Sequence, residues 1–167
     1  MSKTVFLVRH AKAIGREKPI PDFERSLTPK GLLRSREMAE YTLKRGFSPD
    51  LMISSPASRA CETALAFAGV FGYPEDKIIR ENIIYDAIDG REIIGAVTDK
   101  SDQYHSLFLF GHNPTISEAA GILSPGFDQS IAKAGLVAVK FSHATWPEIE
   151  TDGGELLFYW EPKKVLR

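Results

Sequence analysis

Two arginines and two histidines each stand at or soon after the end of a short apolar run in the sequence. Arg9 and His10 follow the first run directly, Arg59 comes soon after the second, and His112 comes soon after a later one. Such a cluster is strongly cationic and would repel itself unless an anion lay between its members. A tetrahedral phosphate, whose several oxygens accept hydrogen bonds at once, suits these donors. The residue types therefore indicate phosphate chemistry, provided that the fold gathers the four side chains.

Each of these side chains has a simpler interpretation when it is taken alone. A single histidine after a strand is more often packed or solvated than catalytic, and Arg9 alone would be a surface ion-pair partner. Arg59 alone would be a solvated residue in the first turn of a helix, where the helix dipole disfavours a cation. A cation in this unfavourable position indicates that an anion lies close to Arg59. We therefore prefer the interpretation in which the four side chains act together.

The elements that must position these side chains alternate between strands and helices. Apolar and β-branched runs predict strands at Thr4–Val8, Leu51–Ile53, within Ile78–Ile84, and at Leu107–Phe110, Leu136–Phe141 and Glu155–Trp160. Cap residues, proline starts and helical spacing predict helices from Thr28-Pro29 to about Arg45, from Ser55-Pro56 through Ala68, over Glu92–Val97, and from Asn113-Pro114 to about Gly121. In the first helix, Leu32, Ala39 and Leu43 are expected to face inward.

This alternation predicts one α/β domain over residues 1–167, with three α/β/α layers. The sheet is expected to be mainly parallel with an antiparallel pair at one edge. Ligands of open α/β sheets bind beyond the carboxyl ends of the strands, which is where the four cationic side chains are expected to meet.

The composition excludes several classes of protein. The 167 residues are 43% hydrophobic, which is enough for a real core. With 21 Lys and Arg against 22 Asp and Glu the net charge is −1, so neither nucleic acid nor an anionic membrane is an expected partner. Ala64–Gly72 is about half a membrane span, and Val5–Val8 is too short for a signal-peptide core. A lone Cys61 excludes an internal disulfide and a cysteine-rich zinc site. We expect a soluble, cytoplasmic protein whose oligomeric state is left open.

Three sequence blocks, in order, carry a resemblance to a known family. Leu7-Val8-Arg9-His10-Ala11 resembles the "RHG" signature of the histidine phosphatase superfamily, which has the phosphoglycerate mutase-like fold, with Ala11 in place of Gly. The stretch 54–64, with its serine-proline, arginine and threonine-alanine, is similar to the second block, and Gly111-His112-Asn113-Pro114 is similar to the third. The Arg-His-Ala form, the segment Asp22–Thr28 and the short length resemble the SixA-type phosphohistidine phosphatase branch. The likeness covers about residues 4–160.

The resemblance implies a role for each clustered side chain. His10 would be the nucleophile that takes the phosphoryl group on a ring nitrogen, so it must be neutral, with a hydrogen bond to its other nitrogen. Arg9, Arg59 and His112 would hold the phosphoryl oxygens and offset charge in the transition state. No acidic cluster with metal-ligand spacing is present, so neither a metal nor another cofactor is expected. Ser55 could add a bond to the phosphate, although capping the second helix is its simpler role.

The residue that would protonate the leaving group is not evident. Asn113 occupies the place that is acidic in the acid-phosphatase branch of the superfamily, and Asp86 and Asp89 are the remaining candidates. A competing interpretation makes both aspartates turn residues before the helix at Glu92. An alkoxide leaving group needs an acid, whereas an imidazole leaving from phosphohistidine needs less help. The weak acid site therefore favours a nitrogen-linked phosphoryl group.

The long loop Ala13–Ser26 is expected to flank the entrance to the site. Its charged neighbourhood offers candidate substrate contacts, with a solvated loop as the simpler interpretation: Lys12, Arg16, Lys18, Asp22 and Arg25. The remaining histidines, His105 and His143, have no partner pattern and are predicted to be surface residues.

Three functions remain open at this point. The first is a metal-independent phosphatase acting on phosphohistidine in a phosphorelay-type protein, which suits a chain with little sequence between Thr63 and Leu107 to roof the pocket. The second is a phosphomonoesterase for sugar or nucleotide phosphates, which a roof from residues 70–105 or a good acid near the phosphate would favour. The third is a non-catalytic phosphate-binding module, which would not need His10.

Overall fold

The computed structural model describes residues 1–142 and 145–166, and six strands form one sheet in it. The strands are β1 (Lys3–Arg9), β2 (Leu51–Ser54), β3 (Ile79–Arg80), β4 (Ser106–Gly111), β5 (Leu136–Phe141) and β6 (Glu155–Trp160). Their order across the sheet is β3-β2-β4-β1-β5-β6. Strands β1 to β4 are parallel to one another. At one edge of the sheet, β5 is antiparallel to both of its neighbours, β1 and β6. The predicted mainly parallel sheet with an antiparallel edge is confirmed. His143 lies outside the described residues.

Helices cover both faces of this sheet. They are α1 (Pro29–Lys44), α2 (Ser58–Phe71), α3 (Asn82–Asp86), α4 (Gly90–Thr98), α5 (Thr115–Leu123), α6 (Ile149–Asp152) and α7 (Pro162–Val165). Short 3₁₀ turns lie at Asp22–Glu24, Glu75–Lys77 and Trp146–Glu148. The sequence does not predict α3, α6 and α7, because four or five residues make too few turns for a helical period to be read.

The alternation of side chains along β1 divides the core into two layers. Phe6 and Val8 point to the layer that contains α1 and α2, while Val5 and Leu7 point to the layer that contains α4 and α5. Successive residues of a strand face opposite sides of a sheet, so an apolar run without polar interruption predicts a strand covered on both faces. The three-layer α/β/α architecture is thereby confirmed.

The start of α1 agrees with the sequence, but its buried face differs. The Thr28 side chain caps the helix by accepting a hydrogen bond from the Gly31 N–H at 3.0 Å. Leu43, expected to face inward, is 41% exposed, whereas Ser35 and Thr42 are fully buried. Their hydroxyls donate to helix carbonyls one turn earlier, which satisfies them inside the core and lets polar residues occupy inward positions.

The start of α2 lies later than the serine-proline signal predicts. The helix begins at Ser58 rather than directly after Ser55-Pro56, and Ala57 is its cap residue without a side-chain hydrogen bond. Ser55 accepts a hydrogen bond from the Ala57 N–H at 3.2 Å, so it shapes the turn that leads into the helix. The expectation that Ser55 caps α2 is therefore wrong.

No helix in residues 1–142 and 145–166 is long and apolar enough to cross a membrane.

Candidate active site

The carboxyl ends of β1, β2 and β4 meet at one edge of the sheet, and they carry the cationic residues with them. The His10 N–H donates to the Gly111 carbonyl at 3.1 Å, and the Ser55 N–H donates to the Phe110 carbonyl at 3.0 Å. The imidazole centroids of His10 and His112 are consequently 5.3 Å apart. Around them lies a cavity of about 310 Å³. It is lined by Arg9, His10, Ala13, Gly15, Arg16, Arg25, Arg59, His112, Asn113 and Lys133. The structure thus gathers all four side chains that the sequence singles out.

His10 is held in one tautomer by the backbone. Its Nδ1 lies 2.7 Å from the Ala11 carbonyl oxygen, which can only accept, so Nδ1 carries the proton and Nε2 carries the lone pair. Burial, with the positive charges of Arg59, Arg9 and Arg25, lowers the pKa of His10 to about 4. The ring is therefore a neutral base at physiological pH, as a nucleophilic nitrogen must be.

His112 is a second neutral imidazole, and Ser55 orients it. The Ser55 Oγ lies 2.8 Å from His112 Nε2, while His112 Nδ1 is buried without a hydrogen-bond partner among the described residues. Burial and the nearby Arg59 lower the pKa of His112 to about 3. His112 Nε2 is the one acceptor that the Ser55 hydroxyl meets among the described residues, so we assign the hydroxyl as the donor and the ring proton of His112 to Nδ1.

Arg9 and Arg59 present buried donors beside the two imidazoles. The Nε atoms of both arginines are buried and have no hydrogen-bond partner in the part of the chain that the structure describes. Burial lowers the pKa of each guanidinium. Because the ordinary pKa of an arginine side chain is very high, both stay charged. Buried charged donors without partners are costly, and the oxygens of a phosphoryl group would satisfy them.

Thr63 fixes Arg59 relative to the end of β1. Its hydroxyl donates to the Arg59 carbonyl at 2.7 Å and accepts from the Ala11 N–H at 3.1 Å. The first turns of α2 are thereby tied to the residue that follows His10.

Asp22 is a carboxylate among cations. Arg59 donates to its Oδ2 at 3.1 Å, Arg25 donates to its Oδ1 at 3.0 Å, and the Tyr85 hydroxyl donates to Oδ2 at 2.9 Å. Burial acts to raise the pKa of Asp22, but the bonds from Tyr85, Arg25 and Arg59 outweigh it and hold the pKa at about 2. Asp22 therefore links the entrance loop to α2 and α3 and stays ionised.

The other loop residues divide into two groups. Arg25 is buried, donates to the Ile14 carbonyl and lines the cavity, and Arg16 lines it while remaining exposed. Lys12 is exposed on a neighbouring groove, and Lys18 is exposed on the loop. The structure therefore brings Arg16, Asp22 and Arg25 to the four central residues and leaves Lys18 apart from them.

Neither candidate acid lines the cavity within the described chain. Asp89 caps α4, because its carboxylate accepts hydrogen bonds from the N–H groups of Arg91 and Glu92. Asp86 is the exposed last residue of α3. The competing interpretation of Asp89 as a residue that precedes the helix agrees with this geometry.

Lys133 also lines the cavity, although sequence reasoning did not single it out. It lies just before β5, where the Ala134 N–H bonds the carbonyls of Arg9 and His10 at 3.1 and 3.2 Å. Since β5 runs antiparallel to β1, its beginning lies beside the end of β1. The sequence analysis predicts that the two late strands pair with each other but not that β5 pairs with β1, and this second pairing is what places Lys133 at the cavity.

The described residues contain no group of three or more His, Cys, Asp or Glu side chains arranged to hold a metal ion. What the cluster offers is a neutral imidazole nitrogen with a free lone pair and several cationic or N–H donors around it. This combination suits transfer of a phosphoryl group to a nitrogen nucleophile. The catalytic roles of the individual side chains stay predictions.

Comparison with known proteins places the chain in a family. The family model described as Histidine phosphatase superfamily (branch 1) matches residues 5–105. An uncharacterized protein of Picosynechococcus sp. is 27% identical over 172 residues, which cover 97% of this chain and 98% of that protein.

Solved structures show the same fold. A protein of Agrobacterium tumefaciens, provisionally named phosphohistidine phosphatase SixA, aligns over 96% of this chain and 99% of its own, with a TM-score of 0.78 and 24% identity. The protein histidine phosphatase SixA in complex with tungstate aligns over 98% and 99%, with a TM-score of 0.78 and 19% identity. The matched family model covers more than half of the chain, so this protein belongs to the histidine phosphatase superfamily and is a hydrolase of the phosphatase class.

Proposed function

We propose that this protein removes the phosphoryl group from phosphohistidine in a phosphorelay-type protein, through a phosphohistidine intermediate on His10. The observation that supports this most directly is the pair of neutral imidazoles flanked by Arg9 and Arg59. His10 has its Nε2 lone pair free because Nδ1 donates to the Ala11 carbonyl.

The reaction proceeds in two displacements. The lone pair of His10 Nε2 bonds to phosphorus while the bond from phosphorus to the substrate's imidazole nitrogen breaks. The electron pair of that bond returns to the substrate imidazole, which leaves neutral because its other ring nitrogen carries a proton. Water then attacks phosphorus as the bond from Nε2 to phosphorus breaks, and the electron pair of that bond returns to Nε2. The attacking water passes a proton to a phosphate oxygen or to bulk water, and inorganic phosphate departs.

The surrounding donors stabilise the charge on the transferred group. Arg9 and Arg59 supply guanidinium N–H donors, and His112 donates from Nδ1 because Ser55 occupies its Nε2. These donors are fixed before the substrate binds, so little reorganisation is needed as charge develops on the phosphoryl oxygens.

The lack of an acid that lines the cavity among the described residues supports an imidazole as the leaving group. Asp22 has a pKa of about 2 and is a carboxylate at neutral pH, and neither Asp86 nor Asp89 lines the cavity. An alkoxide would need protonation, whereas a protonated imidazole leaves without it. No residue of 70–105 lines the cavity among the described residues. Tyr85 of that segment borders the site, with its ring centroid 5.7 Å from that of His112 and its hydroxyl bonded to Asp22, without roofing the cavity.

A substrate panel with covalent trapping tests the proposal. Wild-type protein, with a chelator present, is given a phosphohistidine peptide, a sugar phosphate and an aryl phosphate, and is then quenched in base to preserve phosphohistidine. We expect fastest turnover of the phosphohistidine peptide and a phosphoryl group on His10 by mass spectrometry. His10→Ala should abolish both, and His105→Asn, a histidine outside the site, should change neither.

Two results would overturn parts of the proposal. Faster turnover of the sugar phosphate would make the protein a small-molecule phosphomonoesterase. Full activity of His10→Ala on every substrate would exclude the covalent intermediate, and loss of all activity with the chelator would exclude metal-independent chemistry.

A further inference from the structure

A second groove, larger than the catalytic cavity, adjoins it, and nearly all of its charged lining residues are cations. It has a volume of about 500 Å³ and shares Arg9 and Lys133 with the catalytic cavity. We name it the basic groove and define it by its six cationic lining residues: Arg9, Lys12, Lys30, Arg34, Lys133 and Lys163. Glu161 is the one carboxylate among the described lining residues, and it is paired with Lys164 at 3.5 Å.

This concentration of positive charge is local. The chain as a whole has a net charge of −1, whereas the groove is lined by six cationic residues and one carboxylate. The charge of the groove therefore differs strongly from that of the whole chain. They come from four separate segments, namely the end of β1, the start of α1, the loop before β5 and α7. Lys30 lies in the first turn of α1, where the helix dipole disfavours a cation, so an anionic occupant would offset that cost.

We propose that the basic groove docks an acidic segment of the phosphorylated partner, next to the phosphohistidine that enters the catalytic cavity. This inference rests on the proposed function. It adds a substrate class: a phosphohistidine flanked by Asp and Glu side chains rather than an isolated phosphohistidine.

The form of the groove favours an acidic protein segment over a single small anion. Lys12, Lys30 and Lys163 are exposed, and exposed lysines on flexible stems attract charge over a wide surface without fixing one anion tightly. Such a surface raises the rate of encounter with a partner of opposite charge. A nucleic acid fits less well, because Tyr159 is the one aromatic side chain among the described lining residues, so the groove lacks the series of rings on which successive bases stack.

The experiment uses two synthetic peptides that each carry one phosphohistidine. In one peptide Glu residues flank the phosphohistidine, and in the other Gln replaces every Glu. At low ionic strength we expect the wild-type protein to prefer the acidic peptide by roughly tenfold in kcat/KM, mainly through KM, with the preference falling as salt is added.

Substitutions at groove residues that do not line the catalytic cavity then locate the effect. The variant with Lys30→Gln, Arg34→Gln and Lys163→Gln should bring the ratio of the two kcat/KM values close to one. The matched control carries Arg36→Gln, Lys44→Gln and Lys77→Gln, which remove the same charge from exposed positions outside both cavities, and it should keep the wild-type ratio.

Equal kcat/KM values for the two peptides, or the same ratio in both triple variants, would overturn the docking inference. Stronger competition by a single-stranded oligonucleotide than by the unphosphorylated acidic peptide would assign the groove to nucleic acid. If neither phosphohistidine peptide is hydrolysed while an aryl phosphate is, the proposed function is wrong. In that case docking is measured separately, by fluorescence anisotropy. Equal affinity of the protein for the unphosphorylated Glu and Gln peptides would exclude docking.

Discussion

His10 and His112 are kept neutral by burial and by the cations around them. Their pKa values of about 4 and 3 lie below the ordinary value of 6.5, so protons bind them only in acid. The neutral, nucleophilic form of such an imidazole disappears as the pH falls through the lowered pKa, and not near pH 6.5.

The first prediction concerns pH. We expect kcat/KM, corrected for titration of the substrate phosphate, to keep its value down to about pH 5 and to fall near pH 4 as His10 Nε2 is protonated. Arg25→Gln removes one of the charges that lower this pKa, so its acid limb should lie at higher pH. An acid limb near 6.5 in the wild-type protein would show that His10 is not the titrating nucleophile.

The second prediction concerns the orientation of His112. Ser55→Ala leaves the buried Nε2 of His112 without its partner, so the proton need not stay on Nδ1. We expect kcat to fall by roughly tenfold or more, with a shift of the His112 nitrogen resonances toward the other tautomer, since an oriented donor contributes several kcal/mol to the transition state. Ser58→Ala, in the same turn region, serves as the control, and equal effects in both variants would refute the positioning role.

The third prediction separates a structural carboxylate from a general acid. Loss of a general acid costs roughly 10²–10⁴-fold in rate. Asp22, with a pKa of about 2, cannot donate a proton at neutral pH, so Asp22→Asn should cost about tenfold or less on a phosphohistidine peptide. A loss of a thousandfold, seen in kcat, would make Asp22 the acid after all.

At the scale of the elements, close backbone contacts hold α1 against the end of β1. A Cβ atom built on Gly31 would lie 2.1 Å from the Lys12 carbonyl oxygen, two residues after His10. A Cβ atom on Gly69, in α2, would meet nothing within 4 Å. Both glycines lie within helices, and a side chain has room at Gly69 but not at Gly31.

The fourth prediction uses this pair. Gly31→Ala must displace α1 or the Lys12 backbone, so we expect it to lower the free energy of unfolding by about 2 kcal/mol or more and to reduce activity. Gly69→Ala in an open helical position should raise the free energy of unfolding by about 0.5–1 kcal/mol. Urea denaturation measures both, and a neutral Gly31→Ala would contradict the close packing described here.

The same scale shows what the sequence could and could not predict. The long, regular elements are foreseeable, because Thr28-Pro29 is a typical helix start and the apolar run at Leu107–Phe110 is typical of a strand buried on both faces. Ser55 was misassigned because its hydroxyl bonds a histidine 57 residues away, which no local pattern reveals. Lys133 was missed because its place depends on the pairing of β5 with β1.

At the scale of the whole molecule, the cluster stores unfavourable electrostatic energy. Several buried cations lie close together, and a bound dianion would offset their mutual repulsion. Any ligand that binds only the folded state raises its stability by mass action, by about 2.7 kcal/mol at a concentration of 100 times Kd.

The fifth prediction follows from this linkage. Saturating inorganic phosphate should raise the Tm by roughly 5–10 °C for a chain of this size. Arg59→Gln should lose most of that shift, while Arg36→Gln, at an exposed position on α1, should retain it. The measurement is thermal unfolding followed by circular dichroism, and an unchanged Tm in phosphate would argue against an anion site.

Because β1 lies in the middle of the sheet, the site can form during synthesis only after the later strands on both sides of β1 have been made. The strand that leads to His10 is made before the other five strands, yet its two neighbours, β4 and β5, are made much later. Until residue 134 has left the ribosome, the carbonyls of Arg9 and His10 lack their partner, and His112 has only just arrived. A nascent chain halted before β5 should therefore be inert, and competence should arise in one late step when the central strand is enclosed on both sides.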